Sequence, residues 1–257
     1  MQLPVPWDPT VEVAFTNFSE KAFAAQTKAE ALHPIDKDLY ISSLREQLVG
    51  FYTDVEQGFE ILLNTVLDLN ASGKTLAGIE PTHKRSIKAI KDLFPSKKAL
   101  EKVIQGEVGG TTFDERVPLF VALEMNPKAM EVMYEAACYL LDENKDEEAR
   151  MAFRTLLALA PHIADFWTAY GVSLIRLKRQ EHAIESLERA LFLDSRAVQA
   201  LLLLCRALVE TGRIGEAQAR LGAKLDDAAR CGDKELYDLL EGARFELMKF
   251  AARPASK

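Results

Sequence analysis

The sequence is poor in the features that mark membrane, secreted, metal-binding or nucleic-acid proteins. Only three cysteines occur in 257 residues, and Cys138, Cys205 and Cys231 lie too far apart for zinc-ligand or redox spacing. Reduced thiols and a cytoplasmic location are therefore expected. Glycine (13) and proline (10) are too few for a collagen-like or Pro/Gly-rich chain. No run of 18 uncharged apolar residues is present, so no membrane insertion is expected. The opening MQLPVPWDPTVEVAF lacks the basic flank and apolar core of a secretory signal. Positive charge is in deficit: 32 Lys and Arg against 39 Asp and Glu leave a net charge of −7. A phosphate backbone is repelled by that balance, and no nucleic-acid partner is expected. What remains is 48% apolar residues, enough to bury one large core or two ordinary ones.

A repeat organises the second half. Ala149, Ala183 and Ala217 stand 34 residues apart, and the same frame returns around each. The middle copy reads Trp167-x2-Tyr170-Gly171-x2-Leu174, then Ala183-x3-Leu187 and Ala190. The first reads Met133-x2-Ala136-Ala137-x2-Leu140, then Ala149-x3-Phe153, closing at Pro161. The third reads Leu201-x2-Leu204-Cys205-x2-Leu208, then Ala217-x3-Leu221. This is the tetratricopeptide (TPR) pattern: helical hairpins that cross at small residues and stack through large ones. Turns are expected at Glu143-Asn144-Lys145, Lys178-Arg179-Gln180 and Thr211-Gly212-Arg213. A terminal repeat must cover its outer face, and the segment 235–250 with Leu236, Leu239, Leu240, Ala243, Phe245, Leu247 and Phe250 is expected to do so. Upstream, Thr112-x-x-Glu115 reads as a capping box opening a helix that covers the first repeat.

The first 105 residues follow another pattern. Leu44, Leu48, Phe51, Val55, Phe59, Leu62, Val66 and Leu69 form a heptad-like stripe on one helix of about 30 residues, stopped at Gly73. Further helices are expected near 10–31, 82–94 and 96–105. The expected fold is all-α: an N-terminal helical bundle over 1–105, a Gly-rich linker over 106–111, and a TPR solenoid over 112–257. Its repeats span about 130–163, 164–197 and 198–231, with a capping helix over 235–250. The stripe from Leu44 to Val66 is a coiled-coil candidate for self-association as a homodimer; the core of the local bundle is the equal alternative.

Signs of catalysis are few. Ser72-Gly73-Lys74-Thr75 resembles the end of a phosphate-binding loop, but Asp68 stands where the first glycine is required. His33, His83, His162 and His182 form no ligand set, and no HExxH, GxSxG or GxGxxG occurs. No enzyme activity, cofactor or metal is expected. A basic cluster from His83 to Lys102 reads as a solvated face, or as a dock for an acidic surface.

In a TPR array the first helix of each hairpin lines the concave side, at positions 2, 5, 9 and 12. These are Glu131, Tyr134, Cys138 and Leu141; Asp165, Thr168, Val172 and Ile175; and Gln199, Leu202, Arg206 and Val209. The centre of that surface is apolar, and Arg206 is the one cation at these positions. A clamp for a C-terminal carboxylate needs several converging cations, so an apolar or partly unfolded protein segment is the expected occupant. The stretches Tyr134–Phe153, DFWTAYGVSLIRLKRQEHAIESLERAL (165–191) and ALVETGRIGEAQARL (207–221) resemble the class II type III secretion chaperones of the SycD/LcrH group. The resemblance implies a groove that holds a hydrophobic client before secretion, with Tyr134, Cys138, Val172, Ile175 and Leu202 in contact with it. The extra N-terminal region departs from that family and leaves a cytosolic TPR scaffold or adaptor as the alternative.

Overall fold

The computed structural model describes residues 54–55, 57–74, 119–122 and 125–251. The stripe residues Leu44, Leu48 and Phe51, the linker 106–111, the capping box at Thr112 and the basic cluster lie outside them. Among the described residues all regular structure is helical: α1 over 57–71, α2 Leu119–Ala122, α3 Pro127–Asp142, α4 Asp146–Leu159, α5 Ala164–Arg176, α6 Gln180–Leu193, α7 Val198–Glu210, α8 Ile214–Cys231 and α9 Lys234–Ala251. None is long and apolar enough to cross a membrane.

The 34-residue period builds three hairpins: α3–α4, α5–α6 and α7–α8. Each turns through one residue in the left-handed region: Asn144 (φ 59°), Lys178 (φ 61°) and Gly212 (φ 80°), again 34 apart. At each turn the same two bonds close the first helix. Asn144, Lys178 and Gly212 donate to Leu141, Ile175 and Val209, and the next amide donates to Leu140, Leu174 and Leu208. These satisfy carbonyls that a helix end otherwise leaves orphaned. The small residues lie where the frame requires. Ala137, Ala149, Ala183 and Cys205 are buried, and a Cβ on Gly171 would meet Leu187 Cγ at 2.8 Å. In the middle hairpin, Ser186 Oγ also donates to the Trp167 carbonyl at 2.7 Å, while Trp167 Nε1 donates to the Pro161 carbonyl at 2.8 Å.

Successive helices pack in order, and α5 touches both α3 and α7. Between the second helices the links are long side chains: Arg179–Glu147 (3.5 Å), Arg213–Glu181 (3.5 Å) and Arg220–Glu188 (2.6 Å). The first helices α3, α5 and α7 thus pack on one another in order. Two buried clusters fill it. One centres on Met133, Phe153 and Leu156, the other on Leu187, Leu204 and Leu221.

The last helix corrects an expectation. Leu236, Leu240, Ala243 and Leu247 form its inward stripe, with Leu240 fully buried, whereas Leu239 and Phe245 are 55% and 67% exposed. At about 100° per residue, Leu239 falls to one side of that stripe and Phe245 on the opposite side of the helix. Phe250 lies outside the described side chains.

Helix α1 lies against the first hairpin. Leu62, Val66 and Leu69 are buried within the same cluster as α3 and α4, and Phe59 packs against it. Gly58 lets the backbones meet, because a Cβ there would stand 2.1 Å from Thr155 Oγ1 and 2.5 Å from the Met151 carbonyl oxygen. Thr155 Oγ1 donates to the Val55 carbonyl at 3.0 Å. Asp54 accepts from Arg150 at 3.0 Å and pairs with Arg154 as well, while Arg150 also binds Glu147 at 2.9 Å. The fully buried Leu62 and Val66 have no surface left for a second chain. The helix ends at Gly73 (φ 77°), where Lys74 N donates to the Leu69 carbonyl. Ser72 and Gly73 thus close a helix C-terminus, and Lys74 Nζ sits 4.2 Å from the Tyr139 ring centre.

Candidate functional site

The N-terminal ends of α3 and α5 converge with α2 on an open pocket of about 280 Å³. Phe120 comes from α2, Pro127, Met130 and Tyr134 from α3, and Ile163 and Phe166 from the start of α5. Local sequence explains the placement. Asn126 caps α3 by accepting from Lys128 N at 2.9 Å, and Pro127 takes the first helical position, where a missing N–H costs nothing. Aromatic packing fixes the wall. The Tyr134 ring stacks on Phe166 with centroids 5.3 Å apart and meets Phe153 edge-on at 6.1 Å. Glu131 and Asp165 also line the pocket, and both are exposed. An apolar cavity of ~150 Å³ accepts a benzene ring, so this pocket takes one aromatic or two aliphatic side chains.

Beside it, the Tyr134 hydroxyl donates to Cys138. Burial pushes the Tyr134 ionisation up, with the Cys138 and Asp165 charges adding to it. Burial also raises the Cys138 thiol; the Tyr134 bond opposes this, and the carboxylates of Asp142 and Glu135 add to it. Cys138 is thus held as a thiol at neutral pH, a poor nucleophile and a good apolar wall. Cys205 is fully buried and pushed up to about 11 by that burial. Among the described residues no group of three His, Cys, Asp or Glu could hold a metal. His162 and His182 are exposed.

The twelve positions read from the repeat frame fall into three sets. Glu131, Tyr134 and Asp165 share the pocket, and Cys138 adjoins it. Val172, Ile175, Leu202 and Val209 are half-buried along α5 and α7, packed on the two clusters with their remaining surface open. Leu141 and Thr168 are buried, at 7% and 8% exposure, and offer a ligand little. Thr168 donates to the Ala164 carbonyl, and the Leu141 carbonyl accepts from Arg176. Gln199 and Arg206 are exposed at the far end, where Arg206 pairs with Glu210 at 3.0 Å. Met130, Ile163 and Phe166 were not among the twelve. Their signal lay at the repeat junctions, in Asn126-Pro127 and Pro161-His162-Ile163, where an apolar residue flanks a helix start.

Residues 164–196 match the family model described as tetratricopeptide repeat. No curated protein compared with the chain matches it. A solved structure titled "CopN-Scc3 complex" is similar at a TM-score of 0.47 and 17% identity, covering 74% of this chain and 98% of that chain. The chain carries a tetratricopeptide repeat at 164–196, with a hairpin of the same 34-residue frame on either side of it.

Proposed function

We propose that the protein binds an apolar segment of a partner protein along the concave face of α3, α5 and α7. The observation that carries this is the open aromatic-lined pocket at the start of α3 and α5, continued by the half-buried Val172, Ile175 and Leu202. An exposed apolar concavity is costly to leave wet. Covering roughly 300–400 Å² of apolar surface contributes on the order of 8–10 kcal/mol gross. Ordering an extended guest offsets much of that and leaves an affinity of about micromolar. No chemistry is required of the site: its aromatic, aliphatic and thiol groups bind and exclude water.

The finer reading is a chaperone of the type III secretion kind, keeping a hydrophobic client soluble. It rests on the resemblance of 134–153, 165–191 and 207–221 to that family. Co-expression separates it from an adaptor: a chaperone rescues an insoluble client, whereas an adaptor binds folded proteins only.

The groove itself is tested by panning random 12-residue peptides displayed on phage against the full chain. Peptides with bulky apolar residues are expected to be enriched on the wild type. They are expected to be lost from the Val172→Asp, Leu202→Asp double variant, with helical circular dichroism unchanged. No enrichment, or enrichment indifferent to the double variant, overturns the reading.

A further inference from the structure

We infer that α9 pairs antiparallel with α9 of a second copy of this chain, along the flank that carries Tyr237, Glu241, Arg244 and Met248. This is independent of the peptide-binding reading and uses a surface at the other end of the array.

The flank is self-complementary. Among the described residues, four of the six large apolar side chains that are exposed lie on α9: Tyr237, Leu239, Phe245 and Met248. The inward stripe of α9 is spent on α7 and α8. Tyr237, Glu241, Arg244 and Met248 follow one another at steps of 4, 3 and 4 residues. At about 100° per residue they keep within roughly 60° of one another, about a quarter-turn from that stripe. Such steps are those of the seam between two paired helices. The order along the seam is apolar, acid, base, apolar. A two-fold axis crossing between residues 242 and 243 therefore sets Tyr237 against Met248 of the second copy, and Glu241 against its Arg244. Each contact is made twice, as a two-fold interface requires. Parallel pairing would instead set Glu241 on Glu241 and Arg244 on Arg244.

The groups on this flank are free to meet a second copy. Arg244 Nε stands 3.6 Å from Glu241, with the side chains 49% and 36% exposed, a surface pair worth little by itself. The guanidinium carries five donors, enough for Glu241 of both copies. Met248 accepts from Gln218 Nε2 of α8 at 2.9 Å and still leaves 42% of its surface open. Whatever covers the flank must match an acid and a base set between two apolar groups. A wholly apolar helix would desolvate both charges without pairing them across the seam; a second α9 pairs them. The 18 residues of α9 make a helix about 27 Å long. A seam of that length buries on the order of 1,000 Å² in total, the lower limit of specific interfaces, which suits a reversible dimer.

Sedimentation equilibrium of the full chain tests this. The wild type is expected to shift from monomer to dimer mass as its concentration rises through about 10–100 µM. Glu241→Arg puts two cations on each seam, and Arg244→Glu puts two carboxylates there. Each variant alone is expected to stay monomeric over the same range, because like charges then face each other. Mixed one to one, the two variants are expected to form the dimer again, since every charged contact across the seam is once more between opposite signs. Helical circular dichroism and the midpoint of thermal unfolding, expected to be unchanged, separate lost pairing from lost folding. A wild type that stays monomeric overturns the inference, whether the flank is bare or covered by another part of the chain. A dimer that persists in either variant alone uses another surface, and a mixture that stays monomeric shows that these charges do not meet; either result overturns it as well.

Discussion

At the scale of single residues, two positions show packing and backbone strain deciding against intrinsic preference. Alanine is a better helix former than glycine by about 1 kcal/mol. At position 171, however, the added Cβ would sit 2.8 Å from Leu187 Cγ, a branch point that cannot swing away. Overpacking of this kind costs about 1–3 kcal/mol, so Gly171→Ala is expected to lower the midpoint of thermal unfolding. Lys178 is the opposite case. It holds φ at 61° at the turn where the third hairpin has Gly212. A side chain in that region costs about 1–2 kcal/mol, and glycine's extra unfolded-state entropy returns part of it. Lys178→Gly is therefore expected to stabilise the protein by roughly 0.5–1 kcal/mol in urea unfolding. Loss of stability would show that the turn is held by contacts of the lysine itself.

At the scale of elements, the account turns on α1. Its docking combines a close backbone approach at Gly58, three buried side chains and the Asp54 clamp on Arg150 and Arg154. Burial alone would raise the Asp54 carboxyl, but hydrogen bonds and charge from Arg150 and Arg154 outweigh it and hold the group below its usual value. A carboxyl depressed in the folded state lends stability above its unfolded pKa, about 3.9, and that stability is lost as pH falls through the lower folded value. Asp54→Asn is expected to cost about 1–3 kcal/mol at pH 7 and to flatten the fall of stability below about pH 4, followed by urea unfolding against pH. An unchanged acid limb would place the acid-labile contact elsewhere. The hairpins were legible in the sequence because close packing dictates side-chain size at fixed spacing, which is why Ala149, Ala183 and Ala217 announce themselves. The place of α1 was not. A stripe such as Phe59, Leu62, Val66 and Leu69 reports that a face is buried, and carries no record of what covers it. On α9 the apolar content of 235–250 concealed that Leu239 and Phe245 sit off the inward stripe.

At the scale of the whole molecule, the stack gathers helix ends that are far apart in sequence, and the pocket is made there. The groove positions came from the repeat frame; most of the pocket did not, because Phe120, Pro127, Met130, Ile163 and Phe166 were not among those positions and cluster at the junctions between repeats. The opposite end of the array exposes apolar side chains too, Tyr237 and Phe245 of α9, and these supply an internal control. The most direct test of the central claim is amide and methyl chemical-shift mapping of the full chain titrated with the peptide recovered by panning. The account predicts saturable shifts at Tyr134, Cys138, Val172 and Leu202. Shifts confined to Tyr237, Phe245 and their neighbours, or none at saturating peptide, would contradict it.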